Sequence, residues 1–283
     1  MKTRLVEANG IELSVETFGD QADPAILLIM GAGASMLYWD ADFCRQLADG
    51  GRFVIRYDHR DTGESESYEP GEPTYTLRDL VADAVGVLDA LELQTAHLVG
   101  MSMGAAIAQL VALDRPDRVA SLTLMSSTPG GPGHESPDLP GVSEELAEPG
   151  PEPDWSDREA VIAYHVDSER AFAGSLPFDE AWWRDLAGRS FDRTRNVASS
   201  MANHFIIDPG PAWRERLGEV AVPALVIHGT RDPLFGIEHG RALADEIPGA
   251  SLLVLEGMGH EPPPRAVWDE VVPAILRITR DEG

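Results

Sequence analysis

The sequence predicts an α/β fold: a mostly parallel sheet with helices on both faces, split by an inserted helical segment. Three observations predict it. Short apolar runs of strand length alternate with helix-length amphipathic runs between residues 25 and 125. The same rhythm returns at Ala224, after an interval rich in Gly, Pro and acidic residues. A chain of 283 residues, 43% of them hydrophobic, is long enough for one large core that carries an insertion.

Arg4–Ala8 and Glu12–Phe18 read as two strands joined by Asn9-Gly10, a strong hairpin signal. Ala25–Met30 is a continuous apolar run, the pattern of a strand buried on both faces. It ends in the loop Gly31-Ala32-Gly33-Ala34-Ser35, followed by a helix over Tyr38–Asp49 and a strand over Arg52–Tyr57. Thr76–Leu91 is the clearest amphipathic helix, with Leu77, Leu80, Val81, Ala84, Val85 and Leu88 on one face. A strand at Thr95–Val99, a helix at Met103–Asp114 and a strand at Val119–Met125 complete the first half. Pro129–Pro153 reads as a long mobile loop. Helices are expected at Asp157–Val166, Asp179–Arg193 and Val197–Phe205, a region that carries many of the chain's Trp and Phe residues. Strand Ala224–His228, helix Ile237–Ile247, strand Ser251–Leu255 and helix Ala266–Ile278 close the chain. The core is thus expected at 1–128 and 220–283, and the insertion at 129–219.

Composition excludes several functions. Forty-eight acidic residues stand against 22 basic ones, a net charge of −26, and Lys2 is the only lysine. Such a surface repels nucleic-acid backbones and anionic membranes and disfavours polyanionic substrates. No run approaches the roughly 20 apolar residues of a membrane span. The first twenty residues lack the apolar centre of a signal peptide. The single cysteine, Cys44, excludes an internal disulfide and fits a reducing cytoplasm. The His and acidic residues do not follow zinc-hydrolase spacing, and no dinucleotide fingerprint is present, so neither metal nor cofactor is expected. Oligomeric state stays open between monomer and homodimer.

Gly100-Met101-Ser102-Met103-Gly104 falls between a predicted strand and a predicted helix, the required setting for a G-x-S-x-G nucleophile elbow. The tight reversal strains the serine backbone, and side chains at positions 100 and 104 would collide with the turn. A serine hydroxyl needs a base. His260 follows a strand through Glu256-Gly257-Met258-Gly259, a loop whose glycines are expected to give it flexibility. The base needs an anion to hold its tautomer, and Asp232 directly follows strand Ala224–His228. Each residue alone has a plainer reading: a capping serine, a surface-loop histidine, an aspartate opening a helix before Pro233. Their order, Ser102, Asp232, His260, is that of a serine hydrolase triad on this kind of sheet. Two N–H donors are needed for the oxyanion; the amides of Met103 and Ala32 are the candidates.

These motifs resemble serine-type α/β-hydrolase fold enzymes, and within them the bacterial carboxylesterases of the aclacinomycin methylesterase type. The likeness rests on Met30-Gly31, Arg56-Tyr57-Asp58-His59-Arg60-Asp61-Thr62-Gly63, Ser102-Met103-Gly104, Gly229 with Asp232-Pro233, and Gly257-Met258-Gly259-His260. It implies an α/β-hydrolase fold whose insertion is a helical cap roofing the pocket. It implies Ser102 as nucleophile, His260 as base, Asp232 as orienting acid, and Ala32 and Met103 as oxyanion donors. Asp58, His59 and Arg60 are read as structural, pinning their loop. Gly31, Met36, Trp39, Met101, Trp182, Trp183, Phe205, Phe235 and Met258 are candidate pocket walls for an apolar or aromatic substrate. The expected activity is cofactor-free hydrolysis of small carboxylic, including methyl, esters. C–C bond hydrolysis, perhydrolysis and a slow-turnover receptor-like module share the same triad and stay open.

Overall fold

The computed structural model describes residues 3–131, 136–144, 146 and 150–280. Strands β1 (Arg4–Ala8) and β2 (Ile11–Phe18) pair antiparallel around Asn9 (φ 50°) and Gly10 (φ 77°), the left-handed pair that a two-residue hairpin requires. The other strands are β3 (Ala25–Ile29), β4 (Phe53–Tyr57), β5 (Ala96–Met101), β6 (Val119–Met125), β7 (Ala224–Gly229) and β8 (Ser251–Leu255). Together they form one sheet in the order β1-β2-β4-β3-β5-β6-β7-β8. β2 meets β4 antiparallel, and every neighbouring pair from β4 to β8 is parallel. Parallel strands need cover on both faces. β3 shows how the sequence meets this need: Ala25, Leu27 and Ile29 enter one apolar cluster, while Ile26 and Leu28 enter the other.

Helices α1 (Ala41–Asp49) and α8 (Trp268–Ile278) cover one face. Helices α2 (Leu77–Ala90), α3 (Met103–Asp114) and α7 (Ile237–Glu246) cover the other. All six apolar positions read along α2 pack in that second cluster. A capping box, Thr76 with Asp79, starts the helix. Between β6 and β7 lie α4 (Arg158–Phe172), α5 (Glu180–Arg193) and α6 (Val197–Ala202). Ile162, Val166, Leu186 and Ala187 of α4 and α5 extend the α1/α8 cluster over Met30, Tyr38, Met101 and Met258, at and beyond the carboxyl ends of the strands.

Among the boundaries that differ from the sequence reading, three illustrate the local causes. The first helix starts at Ala41 rather than Tyr38, because Asp40 caps it through the Asp42 N–H (2.7 Å) and a 3-10 turn occupies Met36–Tyr38. α4 runs on to Phe172 past Val166: the polar residues 167–170 interrupt its apolar stripe without breaking the helix. The last helix begins at Trp268, after a 3-10 turn at Arg265–Val267. Of the loop read at 129–153, residues 132–135, 145 and 147–149 lie outside the described residues. Among the described residues no helix is long and apolar enough to cross a membrane.

Asp58 and Arg60 tie the loop after β4. Arg60 makes a two-point ion pair with Asp83 on α2 (2.6 and 2.7 Å), and Asp83 also accepts from Asn9 Nδ2 (2.9 Å). Both ionic side chains are buried. Removing one partner leaves the other charge buried and uncompensated. Asp83→Ala is therefore expected to destabilise the fold by about 3–5 kcal/mol, read as a lower urea midpoint; an unchanged midpoint would refute this role.

Candidate active site

Ser102 sits between β5 and α3 with φ 52° and ψ −117°, a backbone state costly for any residue with a Cβ. The turn leaves no alternative to glycine on either side. A Cβ at Gly100 would overlap the backbone of Gly104, and one at Gly104 would overlap that of Ile29. The serine amide donates to Met125 O of the neighbouring strand (2.9 Å), which fixes the elbow to the sheet.

The Ser102 hydroxyl donates to His260 Nε2 (3.1 Å), and His260 Nδ1–H donates to Asp232 Oδ2 (2.9 Å). The carboxylate fixes this tautomer, since it can only accept. Asp232 uses its two oxygens differently. Oδ1 takes the N–H groups of Leu234 (2.9 Å) and Phe235 (2.8 Å), while Oδ2 faces the imidazole. The turn-forming and histidine-facing readings of this aspartate thus hold together. Burial pushes its carboxyl up, but the His260 ring, His228 nearby and the Phe235 amide outweigh it and hold the group below the ordinary range.

His260 is held from the inserted segment. Its N–H donates to Phe172 O at the end of α4 (2.9 Å), and Ser175 N–H donates to Gly257 O (2.7 Å). The glycines of this loop serve close backbone approach rather than looseness: a Cβ on Gly259 would overlap Phe172 O and Gly174 N. The rings of Phe172 and Phe235 flank the imidazole, with centroids 6.0 and 5.6 Å away.

Beside the hydroxyl lies the loop after β3. A Cβ on Gly31 would stand 3.4 Å from that of Ser102. Neither the Ala32 nor the Met103 N–H donates to a protein acceptor among the described residues, and Met103 opens α3, where the first amides have no helical partner. Two buried histidines grip the loop on either side of Ala32. His59 Nε2–H donates to Met30 O (3.0 Å); His204 Nδ1 accepts from Gly33 N (2.9 Å) while its Nε2–H donates to Arg60 O (2.8 Å). Burial pushes His59 down to about 4, and burial together with neighbouring His59 pushes His204 down to about 3, so both are neutral at neutral pH.

The sequence matches the family described as alpha/beta hydrolase fold over residues 24–263. The chain belongs to the alpha/beta hydrolase fold family. It is 34% identical to a rhodomycin D methylesterase of Streptomyces sp. strain C5, with 99% of each chain covered. It is 31% identical to a 2-hydroxy-6-oxononadienedioate/2-hydroxy-6-oxononatrienedioate hydrolase of Burkholderia vietnamiensis, covering 90% of this chain and 87% of that one. A meta-cleavage product hydrolase from Pseudomonas fluorescens IP01 shares the fold, with a TM-score of 0.74 at 22% identity over 97% of this chain and 96% of that one.

In this alpha/beta hydrolase a cavity of about 560 Å³ opens at Ser102. Ala32, Met103, Phe205 and Phe235 line it, as do Leu77, Phe172, Ile207, Leu234 and the segment 139–142. Its polar wall groups besides Ser102 are Thr128, Ser136, His204 and His239. No charged side chain lines it among the described residues. Gly31, Met36, Trp39, Met101, Trp182, Trp183 and Met258 are not among its walls. Gly31 has no side chain to present, though it borders the nucleophile. Met101 and Met258 are buried in the core cluster beneath α4 and α5, and Met36 is buried within its 3-10 turn. Trp39, Trp182 and Trp183 line a different cavity: α5 turns its tryptophans onto the Met36–Tyr38 turn, where Tyr38 and Trp183 meet edge to face at 5.8 Å. Sequence reading missed Phe172, Leu234, His204 as a loop clamp, and His239, whose Nε2–H donates to Pro140 O (2.9 Å) and fixes the 139–142 wall. The helical run that continues to Phe172 was the available signal for the first.

Proposed function

We propose that the protein is a cofactor-free serine hydrolase of carboxylic esters, with methyl esters of apolar or aromatic acids as the leading substrate class. The continuous line from the Ser102 hydroxyl through His260 to Asp232 carries this reading. Ser102 attacks the ester carbonyl as His260 takes its proton. The Met103 and Ala32 amides receive the oxyanion. His260 then protonates the leaving alcohol, and a water activated by the same ring releases the acid. The methylesterase relative supports the ester class. The uncharged lining supports apolar substrates, and the inserted helices act as the cap over them. Cys44, buried with its thiol pushed up to about 12 by that burial, takes no part; the lone inert thiol supports a cytoplasmic setting. The partner is a small-molecule ester.

A panel of p-nitrophenyl and methyl esters, graded by acyl length and alcohol size, tests the reading. Turnover is expected to favour apolar acyl groups over dicarboxylates, whose second charge meets no cationic side chain among the described wall residues. Absence of turnover on every ester would remove it. The Burkholderia relative supports C–C bond cleavage on the same three residues as the second reading, and release of acid from a vinylogous β-diketone with no ester turnover would favour it.

The His59–His204 clamp makes a further prediction. His204→Leu removes the acceptor for Gly33 N–H and lets the Ala32 amide drift. It is expected to lower kcat by roughly 10- to 100-fold with little change in KM, and His204→Gln, which keeps an acceptor, should recover part of the loss. The two imidazoles have folded-state values below their unfolded ones. Between the usual histidine range and about 4 the unfolded chain therefore binds more protons, and stability falls as pH drops. His204→Leu should lessen that acid sensitivity. Equal losses of kcat in the Leu and Gln variants would refute the clamp.

A further inference from the structure

A second cavity, of about 250 Å³, lies between α5, the Asp40 turn and the proline run after His260, and it shares no lining residue with the cavity at Ser102. Its walls are strongly aromatic: Trp39, Phe43, Phe178, Trp182, Trp183 and Trp268 all line it. The rings form two packed groups. Trp182 and Trp183 meet edge to face at 4.8 Å, Phe178 stacks on Trp183 at 6.0 Å, and Phe43 bridges Trp39 (6.0 Å) and Trp268 (5.5 Å). The site already shows a taste for cations: Arg265 lies 4.9 Å over the Trp268 ring and Arg170 lies 4.2 Å over Phe178.

Acid is present in excess. Glu261 lines the cavity and is 5% exposed. Its Oε1 accepts two long bonds, from the Gly174 and Gly259 amides (both 3.4 Å), and its Oε2 has no partner among the described residues. Neither arginine near the cavity answers it. Arg265 is committed to Asp40 (3.1 Å) and Asp42 (2.9 Å), and Arg170 to Glu180 (2.7 Å). Asp40 and Asp179, the other wall acids, are already engaged by Trp182, through the indole N–H and the amide respectively. Burial raises the Glu261 carboxyl above its ordinary range, against the lowering bonds from the Gly174 and Gly259 amides. Nearby Glu169 is pushed up to about 8 by burial, against a lowering bond from Tyr38, with Glu261 adding a smaller push upward. An aromatic box with one unanswered carboxylate is suited to a desolvated cation, which gains from both ring faces and charge. The volume admits a group the size of a trimethylammonium.

We propose that this cavity is a binding site for a small organic monocation, an alkylammonium or quaternary ammonium group, held among the Trp39, Trp182, Trp183 and Trp268 rings with its charge against Glu261 Oε2. Glu261 follows His260 directly, and its other oxygen bonds the Gly259 amide, so occupancy reaches the loop that carries the imidazole. The site stands whether or not Ser102 cleaves esters.

Calorimetric titration of the whole protein with choline, and with its uncharged carbon isostere 3,3-dimethylbutan-1-ol, tests it at physiological salt. Choline is expected to saturate one site and to bind at least tenfold more tightly than the isostere. Glu261→Gln should weaken choline at least tenfold without weakening the alcohol, and Trp182→Leu should weaken both. Circular dichroism establishes that each variant folds; should Glu261→Gln not fold, the charge preference and Trp182→Leu carry the test. Equal binding of choline and the alcohol, non-saturating choline uptake, or a loss produced by Phe205→Ala instead would overturn the proposal, the last by moving the cation to the Ser102 cavity.

Discussion

Replacing Ser102 with alanine is expected to lower ester turnover by about four to six orders of magnitude, leaving the residual rate that binding and oxyanion donors alone sustain. The hydroxyl is the group facing His260 Nε2 at 3.1 Å, and no other nucleophilic side chain contacts that nitrogen among the described residues. Stability should hardly move, because alanine keeps the Cβ and therefore the cost of φ 52°. Ser102→Gly offers the complementary result. It removes the same oxygen and the strain with it, so it should be equally inactive yet more stable by about 1 kcal/mol. Steady-state rates on p-nitrophenyl acetate and urea unfolding of the three proteins measure both. If the alanine variant keeps even a hundredth of the parental rate, the nucleophile lies elsewhere.

The elbow was legible because its chemistry is steric and local. Two glycines at 100 and 104, a strand before and a helix after leave one backbone solution, and the same contacts that forbid a Cβ there are visible as a five-residue pattern. β3 was legible for a similar reason: a run of unbroken apolar residues has to be buried on both faces. The cavity walls were legible only in part: Phe205 and Phe235 line the cavity, while the tryptophans and methionines named with them do not. Periodicity says that Trp182 and Trp183 are apolar positions on a helix, but not which surface faces that helix, and α5 lays them against the Met36–Tyr38 turn rather than beside Ser102. Met36 and Met258 were read as walls because they lie on core loops; Met258 packs in the core cluster and Met36 is buried away from the cavity. His59 and His204 are 145 residues apart as counted along the chain, and nothing local marks them as a pair gripping the loop that holds Ala32. Such clamps depend on how the insertion docks. Asp58 shows the same dependence, since its counter-ion Arg193 comes from α5 at 2.7 Å.

Asp232→Asn is expected to lower kcat by about four orders of magnitude while preserving the turn that presents the residue. Asparagine keeps an oxygen for the Leu234 and Phe235 amides, so the chain between β7 and α7 has no reason to move. What changes is the face toward His260. An amide NH₂ there donates to Nδ1, the ring shifts its proton to Nε2, and Nε2 can no longer accept the Ser102 proton. His228 offers no rescue. Its Nε2–H is spent on Phe235 O (2.7 Å), it stands 3.7 Å from Asp232 Oδ2, and burial lowers its tendency to protonate. The acid limb carries a second signature. The folded-state carboxyl lies below its unfolded value, so its contribution to stability is present above the ordinary aspartate range and is lost as pH falls through the folded value. In the asparagine variant that portion of the acid sensitivity disappears. Fluorescence-monitored unfolding from neutral pH down through the aspartate range, alongside kcat at neutral pH, reads both effects. A variant within tenfold of the parent in kcat would mean that another group orients His260.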